Sequence, residues 1–239
     1  MIRAALVTAD WRAAGSRCKV YVMGRMDRTI RGVVLLCSLV PVALSPAHAG
    51  VLRGQLALAE SHGRDRHLDD AVVWLEAIPD DVEHRLATGG FRWFWQAPRQ
   101  EPVALLRERA RHFEPHVTVL PVLAPLEIRN DDDVWHGAFS VTPEHRFELG
   151  KRAPGSTDTL RFDAPGVISV RCDIHPDMAA YIAVTPNHAF ARASETGGWQ
   201  FPDVPAGVYT LHAWHPDRGE TKLPVHVPTR GDTLVNVRW

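Results

Sequence analysis

The chain has 239 residues, 45% of them hydrophobic, with a formal net charge of −1, 13 histidines and three cysteines. Seven of the 27 Lys+Arg and two of the 28 Asp+Glu fall in the first 49 residues, so the remainder carries a formal charge of −6. That balance argues against a nucleic-acid partner and leaves a basic protein partner open.

The first 49 residues read as a leader. Met26 to Arg31 is positively charged, residues 32–44 are largely apolar, and Pro46-Ala47-His48-Ala49 ends in the small-x-small pattern of a signal-peptidase site. Cleavage is expected after Ala49, with export to the periplasm. The apolar run is too short, and too broken by Pro41, for a membrane span, and no second span follows. Cys37 follows Leu36 rather than a small residue, which excludes a lipid anchor. Residues 1–25 are long for a charged leader start, so translation is expected from Met23 or Met26. The exported part, from Gly50, is long enough for one large or two small domains.

After Gly50 short strands with turn punctuation dominate. Residues 51–58 and 70–76 are strand-like. Phe91-Arg92-Trp93-Phe94-Trp95 suggests a strand or exposed hairpin, and residues 103–111 suggest one short helix; residues 81–112 as a whole form a connecting segment of uncertain packing. From Phe113 the alternation clears, with strands expected over 116–120, 126–130, 135–141, 159–162, 166–172 and 179–185. Residues 199–201, 208–214, 222–227 and 233–239 continue the pattern, with Pro205-Ala206-Gly207 as a turn.

Cys172 is the one cysteine outside the leader. An unpaired thiol in an oxidising compartment has no bridge to make and needs another reason to exist. Val170-Arg171-Cys172-Asp173-Ile174-His175-Pro176-Asp177-Met178 supplies one, because thiolate, imidazole and thioether meet on a tight loop between two β-branched runs. These are blue-copper ligand types, lacking one more imidazole. His136 provides it where the polar loop Asn130-Asp131-Asp132-Asp133 re-enters a strand. Taken singly, Cys172 could be a core residue, His136 an ordinary strand histidine and Met178 core filler. Asp131-Asp132-Asp133 reads as a solvated turn, too poor in ligands for calcium. His116 could be a further ligand but suits a structural role better, and His145, His188, His212 and His215 read as surface or packing residues, the last two with a weak claim to a second metal site.

Residues 113–185 resemble a cupredoxin of the plastocyanin and amicyanin type. The resemblance is carried by F-x-P-H-V, N-x-D-x3-H-x2-F-S, F-E-L-G, P-G-V, C-x-I-H-P-x-M and Y-I-x-V. The combined pattern is similar to exported cupredoxin-like proteins often labelled methylamine-utilisation proteins, a label that is not evidence of that pathway. The resemblance implies one mononuclear type 1 copper held by His136, Cys172, His175 and, axially, Met178. It also implies an exit for electrons at His175, in an apolar patch here built from Trp135, Pro176 and Ala179. Gly137 departs from the family, which usually has Asn there to tie the ligand strand to the cysteine loop, so a looser centre is expected.

The flanks are similar to carboxypeptidase-regulatory or transthyretin-like sandwiches: residues 50–80 to their opening, residues 186–239 to the rest, with 197–209 as their closing hairpin. The expected class is therefore all-β, a Greek-key cupredoxin sandwich combined with a second, smaller, split sandwich. The expected function is one-electron transfer between redox proteins, with a partner such as a c-type cytochrome drawn by Asp173 and Asp177. The alternative is copper binding and delivery without electron flow. No phosphate loop or G-x-S-x-G elbow occurs, so no enzyme activity is expected.

Overall fold

The computed structural model describes residues 10–13, 16–19, 50–57, 67–87 and 103–239. The expected cleavage site and the aromatic run 91–95 lie outside the described residues. The chain divides into two units, Met1–Ser45 and Pro46–Trp239. In the first, β1 (Asp10–Ala13) and β2 (Ser16–Lys19) pair as an antiparallel hairpin. Among the described residues no helix is long and apolar enough to cross a membrane.

The second unit is all-β, as expected, a larger sandwich combined with a smaller one. Its strands begin with β3 (Gly50–Ala57) and β4 (Val72–Leu75), followed by the short helix α1 (Asp80–Ala87). Next come β5 (Ala104–Arg109), β6 (His112–Glu114), β7 (Val117–Pro121), β8 (Leu126–Asn130), β9 (His136–Ser140) and β10 (Phe147–Arg152). Then follow β11 (Thr157–Leu160), β12 (Gly166–Cys172), β13 (Ala179–Thr185) and β14 (Phe190–Arg192). The last are β15 (Gly198–Val204), β16 (Gly207–His215), β17 (Gly219–Val227) and β18 (Thr233–Arg238).

The larger sandwich faces a five-stranded sheet, ordered β10-β9-β12-β13-β7, with a four-stranded sheet, ordered β11-β8-β5-β6. Pairing is antiparallel except for β13 with β7 and β5 with β8. Inward positions alternate as a half-buried pleat requires: Ile168, Val170 and Cys172 on β12 meet Ala180, Ile182 and Val184 on β13 and Leu126 and Ile128 on β8.

Two sheets form the smaller sandwich, β14-β4-β16-β17 and β15-β3-β18. Its strands come from both sides of the larger sandwich in the chain, and its core gathers Leu52, Leu75, Phe201 and Leu211.

Three sequence expectations are corrected here. Residues 103–111 are not a helix. β5 runs through them, parallel to β8 and antiparallel to β6, because its inward residues Leu106 and Glu108 alternate and sheet pairing overrides the helix propensity of Ala, Leu, Arg and Glu. Residues 197–209 are not a hairpin, since β15 pairs with β3 and β16 pairs with β4 and β17, so the chain turns a corner from one sheet to the other. Residues 68–70 form a 3-10 turn before β4 rather than the start of a strand.

Candidate metal centre

His136 opens β9 and pairs with Arg152 of β10, while Ala138 and Phe139 further along pair with β12. Cys172 closes β12, opposite Ala138 of β9. Between Cys172 and β13 the chain makes a tight loop: the Met178 amide donates to the His175 carbonyl at 3.0 Å, and the Cys172 amide donates to the Met178 carbonyl at 3.3 Å. That closure brings His175 back over the end of β12.

The three expected donors converge. Cys172 Sγ lies 3.9 Å from His136 Nδ1 and 3.8 Å from His175 Nδ1, and the two Nδ1 atoms are 3.0 Å apart. A point in the plane of these atoms lies roughly 2.1 Å from all three, the length of an ordinary metal–imidazole bond. His136 and Cys172 are buried and His175 is half-buried. This is the only group of three His, Cys, Asp or Glu side chains among the described residues with metal-binding proximity. A thiolate with two imidazoles is a donor set that suits a soft or borderline transition metal and fits copper.

Met178 is buried and belongs to the core of the larger sandwich. Burial, the neighbouring His136 ring and the Arg111 guanidinium hold the His175 ring below the ordinary histidine value, which favours the neutral imidazole that can bind a metal. The Gly137 amide donates to Cys172 Sγ at 3.5 Å.

Of the expected surface residues, Trp135 is 54% exposed, Pro176 is exposed and Ala179 is half-buried at the start of β13. Ile174, exposed beside His175, extends the apolar rim. The other histidines stand apart from the centre. His116 Nδ1 lies 2.6 Å from Asp70 Oδ2, His188 pairs with Glu83, His212 with Glu220, and His145 packs edge-on to Phe162. His215 accepts from the Asp217 amide through Nδ1.

Sequence reasoning missed Asp132. It is not a solvated turn residue: Oδ2 lies 2.7 Å from His136 Nε2, and the carboxylate accepts the amides of Ala110 at 2.6 Å and Arg111 at 2.9 Å. Burial alone would raise its carboxyl, but the Arg111 amide, the His136 ring and the Ala110 amide outweigh burial and lower it below the ordinary carboxylate value. Spacing four residues before the candidate ligand His136 was the available signal, but Asp131 and Asp133 disguised it as a charge run.

No family model matches the chain and no curated protein does. Among solved structures, a copper-containing nitrite reductase from Thermus scotoductus is 24% identical over 38% of this chain, with a TM-score of 0.34; the match spans 24% of that reductase. A purple cupredoxin from Nitrosopumilus maritimus is 21% identical over 34% of this chain and 99% of its own, with a TM-score of 0.32. A reduced mutant of amicyanin is 15% identical over 36% of this chain and 84% of its own, with a TM-score of 0.33.

Proposed function

We propose that the centre binds one copper ion as a type 1 site, through His136, Cys172, His175 and an axial Met178. We further propose that the protein carries single electrons between redox proteins after export to the periplasm. The observation that carries this reading is the convergence of two imidazole nitrogens and one thiolate sulfur on a single metal-sized space. Copper bound in such a set supplies one-electron redox chemistry, tuned by the axial ligand and by the surroundings of the sulfur.

The chain's own residues suit a carrier rather than an enzyme. β9 and β12 fix His136 and Cys172 as neighbouring strand ends, so the ligands keep their places whichever charge the centre bears. The Gly137 amide stabilises the thiolate, and its burial excludes water. Half-buried His175 provides a route to the surface, flanked by exposed Trp135, Ile174 and Pro176, with Ala179 behind. A redox partner such as a c-type cytochrome would dock there, with Asp173 and Asp177 at the rim. Raising ionic strength should then slow its reaction, and an unchanged rate would remove the electrostatic part.

Adding Cu(II) to protein starting at Gly50 tests the centre. An intense visible charge-transfer band with narrow copper hyperfine splitting, lost in Cys172→Ser, is expected. An ordinary tetragonal Cu(II) signal unaffected by Cys172→Ser would overturn the assignment. A blue centre that loses copper to a weak chelator and exchanges electrons slowly would favour copper delivery instead.

A further inference from the structure

The turn between β5 and β6 has two central residues, Ala110 and Arg111, joining the paired Arg109 and His112. Both have positive φ, 50° and 58°. Two-residue hairpin turns of this kind call for Asn-Gly or Gly-Gly, because side chains resist that backbone region. Strain of this sort persists only where the surroundings hold it in place, and it gathers at functional sites. Here the turn aims both of its amides at one group, the Asp132 carboxylate, 21 and 22 residues further along the chain.

Asp132 is fixed from its own side as well. Asn130 Oδ1 accepts the Asp132 amide at 3.0 Å, while Asn130 Nδ2 donates to the carbonyls of Val134 at 2.9 Å and Arg152 at 3.1 Å. The Asp131 amide donates to the Glu108 carbonyl of β5 at 2.9 Å. The loop 131–135 is thus tied to both sheets, and the one remaining strong contact of its carboxylate is His136 Nε2.

We infer that Asp132 is a positioning residue for the metal centre: clamped by the Ala110–Arg111 turn, it holds His136 as the Nε2–H tautomer with Nδ1 facing Cys172 and His175. An ionised carboxylate can only accept, so in the neutral, metal-binding form of the ring the nitrogen at 2.7 Å from it carries the proton and the other nitrogen keeps its lone pair. The ring is then oriented for ligation before any metal arrives. A carboxylate behind a ligand imidazole also makes that imidazole a stronger donor. The β5–β6 hairpin, which contributes no ligand, thereby becomes part of the centre. This inference rests on reading His136 as a ligand, but its central claim concerns the metal-free protein.

Nitrogen-15 NMR of the metal-free protein reads the His136 tautomer directly, and hydrogen exchange reads the two turn amides. Wild-type protein should show His136 protonated at Nε2 alone, with Ala110 and Arg111 exchanging slowly for an exposed turn. In Asp132→Ala, the ring should populate the Nδ1–H form and both amides should lose protection. Cu(II) affinity should drop by about 10- to 100-fold, the usual effect of removing such a partner. Asp132→Asn keeps an acceptor for Nε2–H and should retain the tautomer while exposing the Ala110 amide. Wild-type His136 protonated at Nδ1 would overturn the inference without any variant, and so would a tautomer unchanged in a folded Asp132→Ala. The expected tautomer in a protein that gives no thiolate–copper band would uphold the clamp and overturn the copper reading.

Discussion

Beside Cys172, a glycine and the Asp173 carboxylate share one small space. A Cβ on Gly137 would stand 2.0 Å from Asp173 Oδ1, 2.8 Å from its Cγ and 3.1 Å from the Gly150 carbonyl oxygen. Where the related pattern places an Asn after the first histidine, reaching toward the loop behind the cysteine, this chain fills the gap from that loop with Asp173. Asp173 therefore occupies the space that a side chain at position 137 would take. Residues 137 and 173 should behave as a matched pair. Gly137→Asn alone displaces Asp173 and presses the Gly150 carbonyl, so it should destabilise; adding Asp173→Ser should recover most of the loss. A double-mutant cycle by urea denaturation of metal-free protein should give a coupling on the order of 0.5–3 kcal/mol, as for residues in contact. Strictly additive costs would show that the two side chains do not compete.

Among the elements, β5 and β10 carry a buried ion pair beside β9, the strand of His136. Arg152 stands opposite His136 in register; its guanidinium donates to Glu108 Oε2, to the Ile128 carbonyl and, at 2.7 Å, to Asp158 Oδ2. Burial pushes the Glu108 carboxyl up and Arg152 pulls it back, so the pair stands or falls together. Arg152→Met strands a buried carboxyl and should cost about 3–5 kcal/mol, whereas replacing both partners, with Glu108→Leu added, should cost far less. Equal losses in the single and double variants, measured by denaturant unfolding, would show that Arg152 acts through its other contacts. The same pair explains what the sequence hid. β8, β12 and β13 were legible because β-branched and apolar residues alternate over their whole lengths. β5 was not, because an inward Glu108 reads as a surface residue until its partner, 44 positions away, is known. β10 was masked by Gly150, whose φ of 62° accompanies a shift in register between Glu148 and Lys151. Within the centre, His136, Cys172 and His175 were readable from local spacing, while Asp132 depended on a turn before β6 that only the fold brings near.

At the scale of the whole molecule, the two sandwiches meet across an apolar seam. Val72, Trp74 and Trp214 of the smaller one pack on Val117 and Ala183 of the larger, and Trp214 meets Tyr181 edge-on at 5.4 Å. The β7 and β13 part of the outer face of the five-stranded sheet thus packs on a module built from both flanks of the chain. One polar contact crosses the seam beside these rings: His116, itself edge-on to Tyr181 at 5.5 Å, with Asp70. The Asp70 hydrogen bond raises the His116 pKa above its ordinary 6.5, against a smaller opposing effect of burial and with help from the charges of Asp70 and Asp217. A histidine whose folded pKa is raised stabilises fully below its unfolded value and loses that contribution as pH climbs through the folded value. Stability tied to this seam should therefore decline as pH rises from about 6.5 into the raised His116 range. Because His116 is nearly half exposed, solvent screens the effect and the shift in melting temperature should be small. Melting curves of metal-free wild-type and His116→Gln protein across that range isolate it from the other histidines. The wild type should lose its advantage as pH rises, while a difference between the two that stays constant with pH would mean that the seam is held by its apolar residues alone.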